Sequence, residues 1–207
     1  MEKSSETKRH ATDAKARILK AGAQIVNLKG FYDTGLVEVL EAAKVPKGSF
    51  YFYFKNKEDF GLQLIDYFAD YLKAKADDLY RDAGLPHVER IRRFFNFQAE
   101  SFRKNNFKGG CPIGNLSLEM GDRNAKFRDR LNQIFADMKR DLTARLEQAQ
   151  KRKEIPETID VGEAANFIIS SWEGALMQMK VSKSTVPHEV FDRMIFERLL
   201  MTSRPGP

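Results

Sequence analysis

A single cysteine, Cys111, stands in 207 residues. It excludes an internal disulfide and fits a reducing cytoplasm. No apolar run approaches the ~20 residues that a membrane-spanning helix needs, and Met1 to His10 is polar and charged, unlike a signal peptide. No membrane association is expected. The three histidines, His10, His87 and His188, are scattered, and no H-E-x-x-H, paired C-x-x-C or glycine-rich phosphate loop is present. Nothing in the spacing assembles a catalytic, metal or cofactor set, and an enzyme would need a site hidden among the middle helices. Internal repeats and low-complexity segments are also missing.

What is present is apolar bulk and an uneven charge. The chain is 42% hydrophobic with 16 phenylalanines, enough for a small and a medium domain. Residues 1–57 hold 11 Lys and Arg against 6 Asp and Glu, a balance of +5. Residues 58–207 hold 24 against 23, a balance of +1. The excess sits at one end of the chain, as binding to a polyanion requires.

Within that basic end, Thr34 to Phe60 reads as a short helix, a tight turn and a second short helix. Leu36, Val39, Leu40 and Ala43 recur at helical spacing. Lys44-Val45-Pro46 interrupts them, because the residue before a proline is pushed out of the helical region. Pro46 then suits a helix start, where its missing N–H would be unpaired anyway. The second piece, Lys47 to about Tyr53, begins with Lys47, Gly48 and Ser49. This is the pattern of a helix-turn-helix, whose second helix offers its first residues to the major groove. The run Phe50-Tyr51-Phe52-Tyr53-Phe54 also has the alternation of a strand, with aromatics of the kind that stack on single-stranded nucleic acid. The flanks favour the helix, since no partner strand lies nearby. On a helix Phe50 and Phe54 face the core together, while Tyr51 points outward.

The stretch K-V-P-K-G-S-F-Y-F-Y-F-K-N-K-E, preceded by G-F-Y-D-T-G-L, resembles the signature of the TetR family of bacterial transcriptional regulators. The likeness covers Ile18 to Leu64. Gly35 stands where many members have Ser or Thr, Leu40 where Ala is usual and Lys44 where Gly is usual. The resemblance implies an all-α homodimer with a helix-turn-helix DNA-binding domain (1–57) and an effector-binding and dimerisation domain (58–207). It further implies a bacterial cytoplasmic repressor that binds double-stranded operator DNA. The DNA-facing set is Thr34, Gly35, Pro46, Lys47, Gly48, Ser49, Tyr51, Tyr53 and Lys57, with Tyr53 and Lys57 on phosphates. An effector-independent or activating DNA binder is the alternative.

Around this stretch the chain reads as helices throughout. Met1 to Ala11 is expected to be a mobile arm, with Lys8, Arg9 and His10 as solvated charges. Ala14, Ile18, Ala21, Ile25 and Leu28 form an amphipathic stripe ending at Gly30. A long helix from Lys57 to about Asp82, capped by Asn56, carries Phe60, Leu64, Phe68, Tyr71 and Leu72 on one side. Further helices are expected over His87 to about Phe107, a short stretch through Met120, Arg123 to Lys153, Val161 to Met179, and from Val190 to Leu199.

Val161 to Met179 is apolar around an unusually wide arc, so it must be covered on more than one side. With the last helix it is expected to form a two-fold dimer surface through Ala165, Ile168, Ile169, Trp172, Leu176, Phe191 and Met194. Burial within the same subunit is the competing reading. Phe68, Phe95, Phe102, Leu116, Met120, Phe135, Met138, Trp172 and Met177 are expected to line a pocket for a small hydrophobic or aromatic effector, as the resemblance implies. Cys111, beside Pro112 at a helix start, has a second reading as an oxidation or electrophile sensor, since a helix N-terminus favours thiolate. A small buried hydrophobe is the plainer role.

Overall fold

The computed structural model describes residues 2–201, with side chains from Asp13 onward. It is helical, with no strand among the described residues. The chain divides into two compact units. The first is Met1–Asp70 with Pro112–Leu131, and the second is Tyr71–Cys111 with Asn132–Pro207.

In the first unit α1 (Glu2–Lys29) ends at Gly30, whose N–H donates to the Val26 carbonyl at 2.8 Å and whose φ of +92° suits a residue without Cβ. The backbone of the expected arm is therefore helical from Glu2, and the side chains of Lys8, Arg9 and His10 lie outside the described residues. Ala14, Ile18, Ala21 and Val26 are buried, but Leu28 is 58% exposed. Two residues beyond Val26 the helix has turned by about 200°, which carries Leu28 to the outer face.

The helix α2 (Leu36–Ala43) stops at Lys44, which takes the left-handed conformation at φ 54°. Arg17 covers this end, donating to the carbonyls of Ala43 and Lys44 at 3.3 Å each. A single 3-10 turn over Lys47–Ser49 then leads into α3 (Phe50–Tyr53), so the alternating aromatic run is helix rather than strand. Phe50, Phe54 and Phe60 make a ring cluster with centroids 5.1–6.0 Å apart. Phe60 belongs to α4 (Lys57–Tyr80), whose start is fixed reciprocally: Asn56 Oδ1 accepts from the Asp59 N–H and Asp59 accepts from the Lys55 N–H, both at 2.8 Å. At Gly61 a Cβ would lie 2.6 Å from the Phe31 ring and closer still to Phe127, so only glycine lets these rings pack on α4.

The helix α6 (Pro112–Met120) belongs to the same unit. Its Glu119 accepts from the backbone N–H groups of Phe31 and Tyr32 at 2.8 and 2.6 Å, and its Asn115 donates to Asn27 at 3.3 Å. Asn124, Lys126 and Arg130 at the start of α7 (Ala125–Lys151) are tied to α4 through Glu58 and Asp66.

In the second unit α5 (His87–Lys104) buries Ile91, Phe95, Ala99 and Phe102. The long α8 (Val161–Ser182) is capped by Asp160, which accepts from the Gly162 and Glu163 N–H groups at 2.8 and 2.9 Å. The final helix expected to Leu199 is interrupted: α9 (Val186–Met194) passes into a wider π turn over Ile195–Leu199. Arg92 of α5 pairs with Asp192 and Glu197 and holds this end of the chain. Tyr71, expected on the inner stripe of α4, is 52% exposed.

Candidate DNA-binding face

The 3-10 turn and α3 are too short to be stable alone, and the phenylalanine cluster beneath them supplies what propensity cannot. Phe50 and Phe54 are each 1% exposed. Everything else on this element is thereby turned outward. Pro46, Lys47 and Gly48 are exposed, Ser49 and Tyr53 are half-buried, and Tyr51 is 72% exposed. Lys47 rests 3.4 Å from Glu41, a loose exposed pair that a phosphate would displace at little cost. Gly48 has no positive φ, and a Cβ built on it meets nothing within 4 Å. Neither backbone geometry nor internal packing asks for glycine there.

Three members of the expected set are placed differently. Thr34 is buried, and its hydroxyl donates to the Gly30 carbonyl at 2.5 Å, which leaves it no role at phosphate. Its work is to close the α1–α2 loop. Gly35 is exposed, but its N–H donates to Glu38 at 2.8 Å. Lys57 is half-buried, donates to the Tyr32 carbonyl at 3.0 Å and lies 5.1 Å over the Phe31 ring. The side chain that sequence reasoning passed over is Phe52, 76% exposed beside Tyr51. The signal was the alternation itself: if Phe50 and Phe54 share the inner face, Phe52 is outside.

The N-terminal part of the chain, residues 18–64, matches the model described as bacterial regulatory proteins, tetR family, and residues 87–195 match the tetracyclin repressor-like C-terminal domain. The transcriptional regulator AcuR of Cereibacter sphaeroides is 34% identical over 183 residues, spanning 88% of this chain and 84% of that protein. The chain belongs to the TetR family. It is a DNA-binding transcriptional regulator. The transcriptional repressor DhaR of Mycobacterium sp. (strain GP1) is 30% identical, over 91% and 93% of the two chains. A crystal structure of a TetR regulatory protein from Rhodobacter sphaeroides superposes with a TM-score of 0.83 at 33% identity, over 89% of this chain and 97% of that one.

The residues expected around an effector in this TetR-family protein are divided. Phe68, Leu116 and Met120 are buried in the first unit. In the second, Phe95, Phe102 and Trp172 are buried, Phe135 and Met138 half-buried, and Met177 is 56% exposed on the outer side of α8. Trp172 packs 5.2 Å from Phe95 and 5.1 Å from Phe191, with His188 at 5.8 Å. Trp172 Nε1, Glu173 Oε1 and His188 Nδ1 are buried without a hydrogen-bond partner among the described residues. Such groups usually mark where water or a ligand belongs.

The expected dimer set is also re-sorted. Ala165, Ile168, Trp172, Leu176 and Phe191 are core of the protomer, Ile169 is half-buried, and Met194 is 54% exposed. The outward apolar residues are instead Phe167, Met177 and Val181 of α8 and Val186, Val190 and Met194 of α9. Cys111 is buried and immediately precedes α6. Its thiol donates to Glu173, whose own carboxyl is held above the ordinary range by burial.

Proposed function

We propose that this regulator is a homodimeric repressor that leaves its operator when a small apolar or aromatic molecule binds among its C-terminal helices. The observation that carries operator recognition is the exposed ridge of Lys47, Tyr51 and Phe52 around the bare Gly48, held by Phe50 and Phe54. Lys47 and Ser49 are assigned to base edges or phosphates and Tyr51 to phosphate, with Phe52 added as an apolar contact. Repression is supported by the relative named as a repressor.

Dimerisation is supported by the outward rows on α8 and α9. Phe167, Ser170, Gly174, Met177 and Val181 recur at three- and four-residue spacing, and a Cβ on Gly174 would meet nothing within 4 Å. The small residues at the middle of that row permit a second helix to approach closely. Effector binding is supported by the Trp172, Phe95 and Phe191 cluster and its unpartnered Trp172 Nε1 and His188 Nδ1, which a ligand with one polar group would satisfy. Met177, facing outward, leaves the effector set and joins the dimer set.

Fluorescence anisotropy with DNA from upstream of the regulator's own gene tests the reading. Binding at least ~10³-fold tighter than to a scrambled duplex at physiological salt is expected. No preference between the two duplexes would refute operator recognition. Transcription from the same promoter in vitro should fall as protein is added; a rise would make it an activator. An effector identified by screening must bind more weakly in the presence of operator, because linkage is reciprocal.

A further inference from the structure

The second unit holds a cleft of about 370 Å³ where the end of α4, the start of α5 and the C-terminal half of α7 meet. Lys73, Tyr80, Arg90, Asp141, Ala144 and Arg145 line it. Arg145 lies 3.7 Å over the Tyr80 ring and is anchored by Asp77 at 2.6 Å. Arg90 donates through Nε to the Leu85 carbonyl at 2.8 Å and through Nη1 to the Tyr80 carbonyl at 3.3 Å. Lys73 pairs with Asp141 at 2.9 Å.

The Tyr80 hydroxyl is the anomaly. It is buried, Arg145 is the one hydrogen-bonding side chain beside it, and no described residue accepts its proton. The charged groups that act on it are Arg145 and Arg90, and guanidinium groups only donate. The carboxylate in the lining, Asp141, is engaged by Lys73, and the phenol is left without an acceptor. Burial raises its pKa, so it stays a protonated donor at neutral pH. Arg90 uses two of its five N–H groups and Arg145 directs its donors at Ala76 and Asp77, so both guanidiniums keep donors to spare. The three cations Lys73, Arg90 and Arg145 face two carboxylates, Asp77 and Asp141, which leaves one positive charge uncompensated.

We propose that this cleft binds a small monocarboxylate, its oxygens accepting from the Tyr80 hydroxyl and the spare donors of Arg90 and Arg145. One negative charge balances the cleft, whereas a phosphate dianion would overfill it. The Ala144 methyl, the Tyr80 ring and the stems of Lys73 and Arg90 give walls suited to an apolar body behind the carboxylate. The site is separate from the Trp172 cluster and does not depend on the operator reading.

Calorimetric titration of the full chain with benzoate, and separately with acetate and inorganic phosphate at matched ionic strength, is the test. Benzoate should bind saturably at one site per chain, acetate more weakly and phosphate not measurably. Tyr80→Phe and Arg90→Gln should each weaken benzoate on the order of 10-fold, the worth of a hydrogen bond to a charged group. Because Tyr80→Phe deletes a buried hydroxyl whose proton has no acceptor, its ligand-free thermal midpoint should equal or exceed that of the wild type, which separates lost binding from lost folding. Absence of saturable benzoate binding, phosphate binding as tightly as benzoate, or benzoate affinity unchanged in both variants would each overturn the proposal.

Discussion

The aromatic side chains of α3 divide their labour by position alone. Phe50 and Phe54 are four residues apart and inward, while Tyr51 and Phe52 take the remaining angles and stand in solvent. On the proposed reading of α3 as the DNA-facing element, a phenylalanine 76% exposed has an apolar partner to find, and the thymine methyl is the one that a major groove offers. Phe52→Ala is expected to weaken operator binding by about 1 kcal/mol or more without altering its salt dependence. Lys47→Ala should cost ~1–3 kcal/mol and, if the contact is to phosphate, reduce the salt slope by about one. Anisotropy titrations across a salt series separate the two; a Phe52→Ala variant with wild-type affinity would remove that residue from the interface. Gly48→Val should abolish binding while leaving thermal stability intact, since a side chain there touches nothing in the protomer.

Two buried titratable groups, Glu173 of α8 and His188 of α9, pull stability in opposite directions with pH. Burial holds His188 below its ordinary 6.5, so the unfolded chain takes up that proton first. Its contribution is complete above about pH 6.5 and is lost as pH falls below it. Glu173 is held above its ordinary 4.5, again by burial. The unfolded chain loses that proton first, so the contribution of Glu173 is complete below about pH 4.5 and declines as pH rises. Glu173→Gln should therefore raise the thermal midpoint, and by more above pH 4.5 than below it. A midpoint lowered equally at every pH would mean that the carboxylate is satisfied in a way the burial argument misses.

At the level of helices, the order and ends were largely written in the chain. Periodicity placed α2 to α8 and the end of α1 within a few residues, whereas the start of α1 at Glu2 falls inside the stretch expected to be an arm. Asn56 and Gly30 marked ends by the chemistry expected of a cap and a left-handed stop, and Pro46 stands just before the 3-10 turn rather than in it. Which face of α8 meets the core was not readable, because a helix apolar on both its inner and its outer sides has no polar stripe to orient it. Nor was the carboxylate of Glu119 on the backbone of Phe31 and Tyr32, a contact spanning almost 90 positions that no local pattern encodes. That clamp bears on function. It fixes the loop between α1 and α2, in which Thr34 closes back on Gly30, and so sets the entry into the helix-turn-helix. Glu119→Ala leaves two amides without their acceptor and should cost about 1–3 kcal/mol of stability. Operator affinity should fall further than that of a control destabilised equally in the second unit, such as Ile91→Val. Equal losses of affinity would make the clamp structural only.

On the proposed reading, operator binding by the whole molecule depends on two copies. One helix-turn-helix reads too few bases to be selective, and a pair must present its recognition helices about 34 Å apart to enter successive turns of the groove. The outward rows of α8 and α9 are the surface available for that pairing, since Val181 is 82% exposed and Met177, Val186 and Met194 are each more than half exposed. These residues add little to the protomer's own core. Met177→Arg and Val181→Arg should therefore leave helicity and core packing unchanged yet move the sedimenting species from twice the 23.8 kDa chain mass toward a single chain. Operator affinity should collapse with it. Ala165→Arg, by contrast, places a charge at a position with no exposed surface and should unfold the chain rather than dissociate it. A wild type that sediments as one chain at micromolar concentration would dispose of the dimer. A Met177→Arg, Val181→Arg double variant that remains dimeric would place the interface on another face.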